Sequence, residues 1–324
     1  MAAPEINREL FQPVQFDREQ AETISRPALT YWQDAWIRLK RNKTAMAGML
    51  VLVVIIIAAM VFPARASFLP EWWPGNLYVY SDQNLQEISR PPGGLHWIGT
   101  DDLGRDLWVR LWTGARLSLT IGISAALVDL LIGIVYGGIS GYLGGAVDDV
   151  MMRIIEVLFG IPYLIMVILL SLIFRPTSAN LFSAVMPLLL ALTILGWIGV
   201  ARLVRGQVLQ LKNQEFVLAA QVLGADTWRI VAKHLLPNVI GPIIVWVTLD
   251  IPSVIFSEAF LSFVGLGVPM PFASWGTLAA NGYQFMRIWP WFIIFPSIAI
   301  ALTMLSFNLF GDGLRDALDP RMRK

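Results

Sequence analysis

Between Thr44 and Ala64 the chain runs for 21 residues without a charged side chain, and no other feature limits its fold so strongly. About 20 apolar residues in a helix cross the roughly 30 Å hydrocarbon core of a bilayer. In lipid every backbone N–H and C=O must find its partner within the protein, which a helix provides by itself. Five more apolar runs follow, at about 117–141, 154–174, 184–203, 239–258 and 291–310. The expected fold is therefore an all-α polytopic membrane protein with six transmembrane helices. Only 15% of the residues are charged and 56% are hydrophobic, against about a quarter charged in soluble domains. That leaves no room for a sizeable soluble catalytic domain. With no cysteine there is neither a disulfide framework nor a thiolate, and two histidines, His96 and His234, argue against a metal site. A net charge of +1 without a basic tract gives no reason to expect nucleic acid.

Five segments follow from this pattern. Residues 1–43 form a polar N-terminal tail that ends in an interfacial helix, where Trp32, Trp36 and Leu39 share a face beside Arg38, Lys40, Arg41 and Lys43. Residues 44–64 are the first span, and 65–116 a loop rich in Trp and Pro. In that loop Asp101 or Asp102 is the expected cap of a helix leading into the second span. Residues 117–310 form a core of five helices, containing a polar loop at 205–237, and 311–324 a short tail after Gly311 and Gly313 close the last span. Gly133, Gly137 and Gly141, four residues apart, are expected to let a neighbouring helix approach closely. Prolines 162, 187, 242, 252 and 296 are expected to bend or interrupt spans. Of the 24 Lys and Arg residues, 17 fall on one side of this arrangement and seven on the other. The positive-inside rule then puts both termini and the 205–237 loop in the cytoplasm.

Within that loop, Asn213 to Pro237 reads as two short helices meeting at a glycine. Phe216, Ala219, Ala220 and Leu223 recur at helical spacing, Asn213 is the expected cap, and Glu215 sits in the first turn, where the helix dipole favours a negative charge. Gly224 is placed to end the helix in a left-handed conformation. Asp226 then caps a second helix, with Trp228, Val231 and Leu235 on its apolar face and Pro237 as its stop. Two adjacent alanines on an exposed face suit the close approach of another protein.

Ala219, Ala220, Gly224, Leu236 and Pro237 resemble the Glu-Ala-Ala loop of permease subunits of binding-protein-dependent ABC importers. Leu218 stands where that motif has Glu, and His234 where it has Ile; Glu215 is the candidate for the acidic role. The segment from Gly99 to Asp106, Gly-Thr-Asp-Asp-Leu-Gly-Arg-Asp, is similar to one in the oligopeptide and dipeptide branch. So are the runs at 141–149, 151–162, 262–276 and 306–320. The resemblance implies the type I ABC importer permease fold in a bacterial cytoplasmic (inner) membrane. It implies as partners a homologous second permease, two cytoplasmic ATPases that carry ATP and Mg, and an extracytoplasmic peptide-binding protein. No cofactor is expected on this chain, which has no Gly-x-x-x-x-Gly-Lys-Ser/Thr loop for nucleotide phosphates and is expected not to be an enzyme. In that setting Glu215, Phe216, Ala219, Ala220, Leu223, Gly224, Asp226, Leu236 and Pro237 would couple ATPase motion to the spans. Dipeptides, nickel or another small solute would suit the same scaffold as well as oligopeptides.

A different class of function, ion-coupled secondary transport, is suggested by Asp129 and Asp250, which fall inside spans. Each costs roughly 2.5–3.5 kcal/mol to insert at a helix centre, so each is expected to line a cavity or to be paired. Glu156 and Glu258 lie nearer span ends and are expected at the interface. The fragment Gly138-Ile139-Ser140-Gly141 looks like a serine-nucleophile motif, but neither histidine falls in a span to act as its base.

Overall fold

The computed structural model describes residues 29–63, 72–174 and 180–319. Most of the polar tail, Arg175, Arg321 and Arg323 lie outside the described residues. The first helix among the described residues is α1 (Tyr31–Arg41), opened by a reciprocal cap between Thr30 and Gln33. Its Ala35 and Leu39 are buried, whereas Trp32 and Trp36 are exposed. Tyr31 Oη donates to the carbonyl of Leu318, which seats this helix on the far end of the chain. Asn42 then caps α2 (Lys43–Val61), whose Ala45, Gly48, Leu52, Ile55 and Ala59 form the buried stripe. Arg116 donates to the carbonyls of Ala59 and Met60, which the end of α2 leaves without helical partners.

After the short α3 (Pro74–Leu77) comes α4 (Leu107–Leu143), ten residues earlier than the apolar run at 117 indicates. The cap is Asp106, which accepts from the N–H of Val109 at 2.8 Å, and not Asp101 or Asp102. Asp101 is engaged elsewhere, by the N–H groups of Leu103 and Arg105 and by the Arg105 guanidinium. The expected third span is two helices, α5 (Gly145–Phe159) and α6 (Tyr163–Ile173), bent by 80°. The bend falls at Gly160-Ile161-Pro162, because proline cannot donate to the helix ladder and disfavours helical backbone in the residue before it.

Asn180 caps α7 (Leu181–Leu211), which extends beyond the expected end at 203 and takes in the start of the 205–237 loop. Then come α8 (Glu215–Val222), α9 (Thr227–Arg229), a π-helical turn at Ile230–Leu235, and α10 (Leu236–Phe263). Pro237 stops nothing: it follows directly on the π-helical turn and sits in the first turn of α10. Pro242 and Pro252 lie within α10 without ending it. The chain closes with α11 (Trp275–Phe285) and α12 (Trp291–Leu318). Gly311 and Gly313 do not end the last span. They lie inside α12, where a Cβ on Gly311 would come 2.6 Å from the Leu249 side chain and one on Gly313 would collide with Ala45.

Five of these helices are long and apolar enough to cross a membrane, and the bent α5–α6 pair makes a sixth if it counts as one span. The packing of α4 on α7 depends on the glycine stripe. A Cβ on Gly133 would come 2.5 Å from that of Val200, one on Gly137 would strike the carbonyl of Ala201, and one on Gly141 would lie 2.9 Å from that of Arg205. One core joins α2, α4 and α12 at the end of the bundle that carries residues 72–106. Another joins α7, the π-helical turn and α10 at the opposite end, beneath the 213–237 loop.

Candidate functional site

The loop at 213–237 is a hook with one set of apolar side chains buried against the bundle and another turned outward. The N-cap position of α8 is Gln214 and not Asn213, and its side chain makes no capping hydrogen bond. Val217 is fully buried and Ala220 is 8% exposed, both facing the α7–α10 core, so only Ala219 of the alanine pair lies on the surface. Phe216 is exposed, and Val222 and Leu223 stand out at 88% and 87%. Gly224 closes the helix with φ +77°, its N–H donating to the carbonyl of Gln221, while that of Ala225 donates to Ala220. Asp226 accepts from the N–H of Trp228 at 2.8 Å, as the cap reading requires. Trp228 does not share a buried face with Leu235: it is 73% exposed, while Ile230 and Leu235 are buried, because the π-helical turn breaks the spacing of 3.6 residues. Glu215, Leu223, Gly224 and Asp226 are exposed, Leu236 is half-buried, and Pro237 is exposed.

The base of the hook is held by a group that sequence patterning did not identify. Arg205 on α7 grips Asp148 on α5 with two parallel hydrogen bonds of 2.6 Å, and Ser140 on α4 donates to the same carboxylate. Lys212 donates to the carbonyl of Gly141. Asp148 lies in the 141–149 run singled out above, but its partner is 57 residues away.

Of the acids inside spans, Asp129 is 1% exposed and its Oδ1 has no hydrogen-bond partner. Its carboxylate packs directly on Gly196 of α7, where any Cβ would displace it. Asp250 on α10 is half-buried. Glu258 is not interfacial. It is fully buried and accepts hydroxyl donors from Ser118 (3.2 Å), Ser262 (2.8 Å) and Ser274 (2.7 Å), thereby binding α4, α10 and α11 together. Glu156 is exposed and pairs with Arg153.

At the end opposite the hook, His96 is buried between two carboxylates, with Nδ1 2.7 Å from Asp106 and Nε2 3.1 Å from Glu87. Both ring nitrogens can donate only in the imidazolium form. The hydrogen bond to Asp106 accordingly raises the His96 pKa above its ordinary value against the cost of burial, with Glu87 assisting.

Comparison with known proteins decides the family. Residues 133–324 match the description "binding-protein-dependent transport system inner membrane component", and residues 30–92 match "N-terminal TM domain of oligopeptide transport permease C". The chain belongs to this family of transport permeases. Among its relatives, the oligopeptide transport system permease protein OppC of Bacillus subtilis (strain 168) is 49% identical, over 98% of this chain and 99% of the relative. The dipeptide transport system permease protein DppC of the same organism is 48% identical, over 99% and 95%. OppC of Escherichia coli (strain K12) is 41% identical, over 94% and 95%. This permease is thus an all-α, multi-pass membrane component of a binding-protein-dependent transport system.

Proposed function

We propose that this permease is one of two homologous pore-forming subunits of an ATP-driven importer of oligopeptides. ATP and Mg are bound by two ATPase subunits that dock on the 213–237 hook, and the chain itself catalyses nothing. The excess of Lys and Arg on the side of the hook supports a cytoplasmic position for the hook and both termini. An extracytoplasmic peptide-binding protein delivers substrate to the opposite end, and Asp129 and Asp250 line the route between. Peptides are favoured over nickel or other small solutes because the relatives at 49% and 48% identity are named for oligopeptides and dipeptides.

The observation that carries this reading is the contrast within the hook. Val217 and Ala220 anchor it to the bundle, while Val222, Leu223 and Trp228 project from the surface. Burying each such side chain against a partner is worth about 1.5–3 kcal/mol, so the hook has the makings of a docking plug. Its anchored face transmits movement of a docked ATPase to α7 and α10.

The test is co-purification from gently solubilised native membranes. ATPase subunits should accompany the wild type and be lost from a Val222→Glu, Leu223→Glu double variant whose α8 anchor is intact. ATPases retained by the variant would refute the docking surface. Their absence from the wild type would refute ATP coupling and turn attention to ion-driven transport through Asp129 and Asp250.

A further inference from the structure

A cavity of about 420 Å³ opens at the end of the bundle opposite the hook, between the first turn of α4, the 265–270 loop and α11. Its volume is within the range of sites for small organic ligands. Arg110 forms part of its wall, with Ser262, Met270, Thr277 and Asn281 among the others.

Arg110 is 1% exposed. Its Nη1 donates to the carbonyl of Tyr80 at 2.8 Å, while Nε lies 3.4 Å from Asp101 without making a hydrogen bond. Asp101 is already committed, accepting from Arg105 Nε at 2.7 Å and from two backbone N–H groups. Two buried guanidiniums therefore share one buried carboxylate. Asp102, the other acid in reach, lies 3.9 Å from Arg105 with its side chain 37% exposed. Behind the cavity wall, Glu258 has both oxygens occupied by Ser118, Ser262 and Ser274. The wall thus presents a buried guanidinium whose Nε makes no hydrogen bond and whose ion-pair partner Asp101 is shared with Arg105, beside the neutral amide of Asn281.

We propose that this cavity receives the terminal carboxylate of the transported peptide, with the Arg110 guanidinium as its anchor. The inference rests on the peptide-importer reading above. Peptides of any length and sequence share a terminal carboxylate and a backbone. A planar guanidinium suits the first, and the Asn281 amide suits the second. The anchor therefore accepts peptides without selecting among their side chains.

The natural absence of cysteine provides a direct test on the assembled complex. With Asn281→Cys as the single thiol of this chain, its labelling by an anionic sulfonatoethyl and a cationic trimethylammonioethyl methanethiosulfonate is compared. A unit charge close by should make the anionic reagent relatively faster by on the order of fivefold. That preference should vanish with Arg110→Gln and persist with Arg110→Lys. Trialanine should slow labelling, and trialanine amide should not. An anionic preference unchanged in Arg110→Gln overturns the site. So does equal protection by the peptide and its amide. Protection by unloaded binding protein with none from trialanine overturns the substrate assignment, because the cavity then belongs to protein docking. ATPase co-purification is scored separately, so failure of the cavity is distinguishable from failure of the importer reading.

Discussion

Adjacent glycines on α4 allow close helix packing to be separated from intrinsic helix propensity. A Cβ on Gly137 would collide with the carbonyl oxygen of Ala201 and lie 2.9 Å from Val204 Cβ and 3.0 Å from Arg205 N. Two of those three atoms are backbone and cannot rotate aside, so α4 and α7 must move apart. One residue on, a Cβ at Gly138 would meet nothing closer than Val231 Cγ1 at 3.9 Å. Replacing either glycine by alanine gains about 1 kcal/mol of helix propensity. Only Gly137→Ala adds an overpacking cost, about 1–3 kcal/mol. The propensity gain cancels between the variants, so Gly137→Ala should be less stable than Gly138→Ala by that packing cost alone. At about 2–4 °C per kcal/mol, the two midpoints should lie a few degrees apart. The assay is a thermal ramp of detergent-solubilised protein, with surviving monodisperse material read by size-exclusion fluorescence. Equal midpoints, or a lower one for Gly138→Ala, would refute the claim that glycine at 137 is required by the approach of α7.

Two further predictions concern the ends of the bundle. At Gly224, φ is +77° and an added Cβ meets nothing, so Gly224→Ala should lose about 1–2 kcal/mol through backbone strain alone, Gly224→Asn distinctly less. Titrating purified ATPase onto each variant should show weaker docking by about fivefold or more for alanine only, and a similar loss for both would point to a side-chain effect. At His96 the folded pKa is raised, so the stabilisation is complete below the unfolded value of about 6.5 and is lost as pH rises through the folded value. The groups facing the ring are Asp106, Glu87 and the Tyr78 ring, with Arg90 paired to Glu87. Hydrogen exchange of residues 72–106 should therefore quicken beyond its intrinsic base dependence as pH rises above that window, and His96→Gln should abolish this excess. An excess of the same size in His96→Gln would assign it to another group.

Much of the scaffold was legible from local pattern. A charge-free run long enough to cross lipid admits one backbone solution, so Thr44 to Ala64 announced its helix without reference to any neighbour. Glycines at 133, 137 and 141 announced a close helix contact, since that spacing puts all three on one face. Asp226 and Gly224 were legible in the hook because capping and left-handed turns depend on the residue itself. Pattern failed where a choice between equivalent residues depended on distant partners. Asp101, Asp102 and Asp106 are equally good caps in isolation. Asp106 caps because Asp101 is held by Arg105 and Arg110.

Membrane residence, the number of apolar segments and the position of the polar hook were all legible along the chain. These follow from hydropathy and local backbone preference, which act over a few residues. Packing between distant segments settled which of two neighbouring alanines is buried, that Glu258 is enclosed by three hydroxyls, and that Arg205 grips Asp148. It also decided that Gly311 and Gly313 admit neighbouring helices instead of ending their own. A buried carboxylate or a bare backbone is stable only with a partner in place, and packing brings in those partners from far along the chain.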